Sequence, residues 1–318
     1  MFHILLGILV GATMPVQTSI NTMLRRRLGS PFSATLVSFC VSTVLLLCAI
    51  PVVGLPWEKL AVSAFDAPWW AYTGGLCGVF GLVGNILLMT RLGSVQTIIF
   101  PVLGQILMGI LIDHFGLMRS DVNPLTLLRV AGAALVLGGV VTVAAARMSG
   151  KALPGAQSLA HEEERPSALS LLPWRILGVA MGMAGAVQVA ANGYLGQHAE
   201  SPLFSSIVSF GGGVLILASI VLLLRLLKGA APKGDAVPWW SWIGGGISGA
   251  VYVFSNVIIT GVLGTGTTVI VFLLGMTLGG VLVDHFGFLG ARRSPVTWVK
   301  ALGLATVIAG AALIKGIV

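Results

Sequence analysis

Asp113-His114-Phe115-Gly116 closes one long apolar run, and Asp284-His285-Phe286-Gly287 closes another. The two stretches stand 171 residues apart, and the same offset aligns most of the chain with itself. Gly7, Gly11, Gln17, Asn21, Ser30, Pro31, Ser38 and Phe39 return as Gly178, Gly182, Gln188, Asn192, Ser201, Pro202, Ser209 and Phe210. Asn85, Gly93, Thr97 and Gly104 return as Asn256, Gly264, Thr268 and Gly275. Beyond the Asp-His-Phe-Gly copies, Pro124, Thr126 and Arg129 answer to Pro295, Thr297 and Lys300. Chance likeness between apolar runs would not keep Gln, Asn, Asp and His in register. One unit is written twice.

That unit belongs in a membrane. The 318 residues are 56% hydrophobic and only 9% charged, where a soluble domain carries about 25% charged residues. The apolar runs, each near the ~20 residues that cross a bilayer, read as transmembrane helices. They are expected at 3–24, 32–53, 69–90, 95–115, 125–146, 175–197, 203–224, 239–261, 266–286 and 297–316. No sustained alternation of period two suggests a barrel. The expected fold is all-α and integral to the membrane, with ten spans as two five-helix repeats, 1–146 and 174–318. Residues 147–173, with Pro154, Gly155, Glu162-Glu163-Glu164 and Pro166, read as a linker.

Five spans is an odd number, so the second repeat must enter the membrane from the opposite side. Basic residues test this by the positive-inside rule. One set of loops and flanks holds Arg25, Arg26, Arg27, Arg91, Arg147, Lys151, Arg165, Arg175, Arg225, Lys228, Lys233, Arg292, Arg293 and Lys300. The other holds Lys59, Arg119, Arg129 and Lys315. The richer set is expected in the cytoplasm, with the linker there and both termini outside a bacterial inner membrane. The formal charge of +8 then reflects topology and not nucleic-acid binding. Cys40, Cys48 and Cys77 lie inside apolar runs without metal or disulfide spacing. The N-terminus lacks the positive region and small-residue site of a cleavable signal peptide. No cofactor is expected.

Several motifs have plain structural readings. Gly7/Gly11, Gly74/Gly78 and their copies put glycines one turn apart, which allows close helix approach. Ser30-Pro31 and Ser201-Pro202 are helix starts. The pairs Trp69-Trp70 and Trp239-Trp240 mark membrane interfaces, and Arg91, with Val262 at the matching place, reads as a topology charge.

The acidic stretch is less simple. Gly116 and Gly287 suit the position just past a helix end, so Asp113 and Asp284 fall in final turns. A carboxylate there meets the negative end of the helix dipole, whereas a protonated His would be favoured. Arg129 and Lys300, sixteen residues on, are the expected partners. A clasp across the hairpin, worth about 1 kcal/mol or less if exposed near the interface and more if partly buried, and restored by exchanging the two charges, is preferred to a proton relay.

Gln17, Asn21 and Asn85, with Gln188, Asn192 and Asn256, are amides inside spans, where polar groups are costly and face the bundle interior. They read either as interhelical hydrogen bonds or as two polar tiers facing a substrate. Gln105, opposite Met276, is a midplane amide present in one repeat alone and a candidate for selectivity.

Five-span halves, inverted, each ending an apolar run in Asp-His-Phe-Gly, resemble the YdcZ-like family of the drug/metabolite transporter superfamily. The resemblance covers the chain apart from the linker. It implies secondary transport of a small molecule by alternating access and names no substrate. The small multidrug-resistance branch of that superfamily couples protons through a Glu on its first span. The first and sixth spans here carry no acid, which argues against that coupling. The expected partners are the lipid bilayer and a small-molecule substrate, with a homodimer left open. A non-transporting membrane scaffold or partner subunit is the rival reading. A lipid-modifying enzyme comes third, since no catalytic Ser/His/Asp set, metal cluster or phosphate loop is visible.

Overall fold

The computed structural model describes residues 2–54, 66–148, 169–229, 234–288 and 295–315. Among them the chain is helical, without a strand. Eight helices are long and apolar enough to cross a membrane, and two shorter apolar helices, Gly74–Gly84 and Trp298–Ile314, accompany them. In chain order the helices are α1 (Phe2–Gly11), α2 (Met14–Leu28), α3 (Pro31–Val53), α4 (Gly74–Phe115), α5 (Leu127–Met148), α6 (Leu172–His198), α7 (Pro202–Lys228), α8 (Ser241–Leu263), α9 (Thr265–Phe286) and α10 (Trp298–Lys315). Most of the expected linker, 149–168, lies outside the described residues.

The first span differs from the unbroken helix expected over 3–24. It is divided at Ala12-Thr13 into α1 and α2. Pro15 has no N–H to offer the Gly11 carbonyl, so the ladder opens there. At the corresponding place α6 has Ala186 and runs unbroken.

The long run α4 doubles back. Its 42 residues would stretch about 63 Å if straight. Yet Leu88 and Phe100, about 18 Å apart on a straight helix, both lie against Gly178 of α6. The first limb descends α6, with Gly74 by Asn192, Gly78 by Gln188 and Gly84 by Met181. The second limb climbs it again, with Pro101 by Gly182 and Gln105 by Gly185. In the second repeat the corresponding limbs are separate helices, α8 and α9, divided at Gly264. Its φ of 76° is a conformation that glycine adopts without steric penalty. The expected start at Trp69 is instead a 3-10 turn, Trp69–Tyr72.

Helix ends follow local chemistry. Ser30 Oγ accepts from Ser33 N at 3.4 Å, and Ser201 Oγ from Phe204 N at 3.1 Å, with proline next in each chain. Gly116 and Gly287 end α4 and α9 in the left-handed conformation, with φ of 60° and 67°.

The two halves interlock. α1 lies along α9, with Gly11 against the Phe272 carbonyl and Gly275. α6 lies along the second limb of α4, with Gly182 against the Pro101 carbonyl and Gln105. α5 and α10 pack antiparallel, with Gly132 by Gly310 and Gly139 by Gly303. Each contact recurs with the halves exchanged. A Cβ on Gly11 would stand 2.6 Å from the Phe272 carbonyl oxygen, whereas one on Gly211 would meet nothing within 4 Å. Gly11→Val is therefore expected to cost about 1–3 kcal/mol. Gly211→Ala, inside α7, should stabilise by about 0.5–1 kcal/mol. Thermal melting in detergent checks both, and equal shifts would remove the close-packing account.

Candidate functional site

The amides of the first repeat lie between halves. Asn21, on α2, accepts from Ser38 Oγ of α3 at 2.6 Å. One turn along each helix, Gln17 lies against Gly249 of α8, and Ser42 Oγ donates to the Gly246 carbonyl at 2.7 Å. Gly245 faces Asn21 with no room for a side chain. Gln17 is 8% exposed, and its Oε1 has no hydrogen-bond partner among the described residues. Leaving such an acceptor unmatched costs about 1–3 kcal/mol.

The second repeat builds a related cluster. Asn192 Nδ2 donates to Ser209 Oγ at 3.2 Å, and Ser205 Oγ donates to the Asn192 carbonyl at 2.6 Å. Gly74 faces Asn192, and Gly78 faces the half-buried Gln188. Each amide pair is thus braced by a serine of its own half and meets a glycine-lined helix of the other. Between the clusters Phe39 and Phe210 meet edge to face, with ring centroids 5.0 Å apart. Ser42 has Gly213 as its counterpart, and the Phe39 ring lies against that glycine.

The remaining amides are placed differently. Asn256 is buried and accepts from Thr260 on its own helix at 3.3 Å. Among the described contacts none joins it to Gln188 or Asn192. Asn85 lies on the first limb of α4, and its side chain is outside the described residues. Gln105 is half-buried against Gly185, at the seam of α4 and α6.

The charged hairpin is buried, the case in which the clasp is worth more. Asp113 is 1% exposed and Arg129 11%, with Arg129 Nη2 2.8 Å from Asp113 Oδ2. The other carboxylate oxygen accepts from Gly266 N at 2.9 Å. Gly266 lies in the first turn of α9, where backbone N–H groups have no partner within the helix. Asp113 therefore stands at the unfavourable end of its own helix and the favourable end of a helix from the other half. Arg129 Nη1 also donates to the Asn123 carbonyl at 2.6 Å. In the second repeat Lys300 is fully buried, and its Nζ donates to the Pro295 carbonyl at 3.1 Å. Asp284 and Lys300 both engage further polar partners.

The histidines tie each hairpin to its own helix end. Nδ1 of His114 accepts from Leu125 N at 3.0 Å, and Nδ1 of His285 from Val296 N at 3.2 Å. Each ring thereby staples the end of its helix onto the segment leading to the next helix.

At the opposite end, basic groups join the halves. Arg27 Nη1 donates to the Gly234 carbonyl at 2.6 Å, and Arg175 Nε donates to Gln96 Oε1 at 3.1 Å. The Arg91 guanidinium lies 5.3 Å over the Trp174 ring, so this charge also packs across the seam. Sequence reasoning missed the cross-half bond of Asp113, the Phe39–Phe210 contact and the Arg91–Trp174 contact. The matched positions of Phe39 and Phe210 were the one available signal.

A many-span helical bundle, with buried amides and a carboxylate bond joining its halves, has the build of an integral membrane protein, and the family it matches places it in the transporter class. The chain belongs to the YdcZ family: the family described as "Putative inner membrane exporter, YdcZ" matches it twice, over residues 2–142 and 173–313. No curated protein matches the sequence. One crystal structure superposes with a TM-score of 0.65 over 98% of this chain and 94% of that one, at 18% identity. That likeness is one of fold.

Proposed function

We propose that this protein is a secondary transporter that moves a small polar metabolite across the inner membrane by alternating access. Its ten spans form two inverted five-helix repeats, 1–146 and 174–318, joined by a cytoplasmic linker over 147–173. The second family match begins at residue 173, which agrees with this division. The antiparallel packing of α5 on α10 supports the inversion, because these helices correspond to one another across the offset. The family description as an exporter favours outward movement.

One observation carries the transport reading. Two related amide clusters face opposite halves of the bundle, and in one of them Gln17 Oε1 is buried without a partner among the described residues. A substrate with an N–H or O–H group would supply the missing donor. Rocking of the halves about the Phe39–Phe210 contact would then offer it Gln17 and Asn21 in one state and Gln188 and Asn192 in the other. Gln105 would contribute selectivity at the seam between α4 and α6. Asp284 and Lys300 would bind the second hairpin together as Asp113 and Arg129 do the first. The scaffold reading assigns the same amides to packing alone. Thermal stabilisation of the purified protein across a metabolite panel separates the two. A hydrogen-bonding metabolite that raises Tm supports transport, whereas a silent panel together with a tightly copurifying protein supports the scaffold.

Orientation has its own test. With the three native cysteines replaced, single cysteines at positions 2, 160 and 317 are exposed to an impermeant thiol reagent on intact cells. Positions 2 and 317 should label and 160 should not. The reverse pattern would overturn the assignment of sides.

A further inference from the structure

After α4 the chain does not simply turn back to α5. Residues 116–123 cross onto the other half. Ser120 Oγ lies 3.1 Å from Thr265 Oγ1 at the start of α9. Arg119 Nη1 donates to the Tyr194 hydroxyl of α6 at 2.9 Å, with its guanidinium 5.6 Å over the same ring. Met118 packs against the main apolar core. Directly before the crossing, Asp113 bonds Gly266 N.

The crossing segment is strained. Met118 and Arg119 have φ of 56° and 59°, a left-handed conformation that residues with a side chain seldom adopt. Two such residues in succession persist only when contacts on both sides hold them. Beneath the segment lies a polar cavity of about 40 Å³, lined among others by Ser120, Gly193, Tyr194, Gln197, Thr260 and Thr265. That is room for a water molecule and not for a metabolite. The cavity stands at the end of the bundle that the basic residues assign to the outside.

We infer that residues 116–123 are the external gate of the transporter, shut in this structure, with Ser120, Arg119 and Asp113 as its latches on the second half. The inference rests on the transport reading and the orientation proposed above. Loss of these contacts lets the strained segment relax and opens the buried face of Thr260 and Thr265 to the exterior.

The first measurement needs no substrate. In protein lacking Cys40, Cys48 and Cys77, the variant Thr260→Cys reports on the cavity through its labelling by an impermeant maleimide in right-side-out vesicles. Adding Arg119→Ala, or separately Ser120→Ala, should raise the labelling rate about tenfold, as loss of one such contact implies, with Tm lowered by no more than about 2–4 °C. An unchanged rate in either folded variant, or a rise that comes with a larger fall in Tm, overturns the gate. The pair Ser120→Cys and Thr265→Cys provides a second measurement. Oxidation of that pair should stop the flux of a compound that stabilises the protein, and dithiothreitol should restore it. Flux that persists in the oxidised pair also overturns the gate. Accelerated labelling without flux of any compound would leave the gate standing and count against transport.

Discussion

Replacement of Asp113 by alanine should destabilise the protein by about 3–5 kcal/mol, the range for removing one member of a buried ion pair. Two partners lose their acceptor at once. Arg129 keeps only the Asn123 carbonyl, and Gly266 N at the start of α9 is left unmatched. Asp113→Asn should cost less, because an amide oxygen can still accept from Gly266. The exchange Asp113→Arg with Arg129→Asp, which a simple clasp would tolerate, should recover little, since a guanidinium cannot accept from that N–H. Thermal melting of the purified variants in one detergent decides the matter. Full recovery in the exchanged protein would mean that the bond across the halves contributes nothing.

Leucine at Gln17 should have the opposite profile. The amide oxygen has no partner to lose among the described residues, and an apolar group of similar size is nearly neutral or stabilising at such a place. Transport should nevertheless fall about tenfold or more, the factor that corresponds to one lost hydrogen bond of about 1.4 kcal/mol to the substrate. Asn192→Leu provides the contrast, because it removes the bond to Ser209 and should lower Tm as well. The readouts are flux and melting temperature measured on the same preparations. If Gln17→Leu transports normally, or loses activity only in step with stability, the amides are packing devices.

Much of the fold was legible before any coordinates. Apolar length, the Ser-Pro starts and the glycine ends mark most helix boundaries, because each depends on chemistry within one turn of the chain. The break at Ala12-Thr13 was legible in principle from Pro15, set against Ala186 in the other copy. The first-limb start at Gly74 was not, since Trp69 and Trp70 continue the apolar run without a break in hydropathy.

The site was harder to read, for a reason of scale. Gln17 and Asn21 stand out as amides among apolar residues, but their partners Ser38, Ser42 and Gly249 lie on other helices. The spacing of Asp113 and Arg129 pointed to each other. Nothing local pointed to Gly266, whose role is to leave room for the carboxylate. Burial altered the energetics too: an ion pair at an exposed interface is a small effect, whereas the pair at 1% and 11% exposure is a large one. The contacts of His114 and His285 reach backbone N–H groups eleven residues away, a separation that no helical spacing suggests.

Transport itself is tested most directly by flux. The purified protein is reconstituted into liposomes, and each compound that raises its Tm is followed across the bilayer in radiolabelled form. At least one such compound should cross faster than in protein-free liposomes. That excess flux should saturate with concentration and be lost in Gln17→Leu while Tm is retained. Compounds that stabilise the protein but cross no faster than in empty liposomes would contradict the account and leave a binding protein of the membrane in place of a transporter.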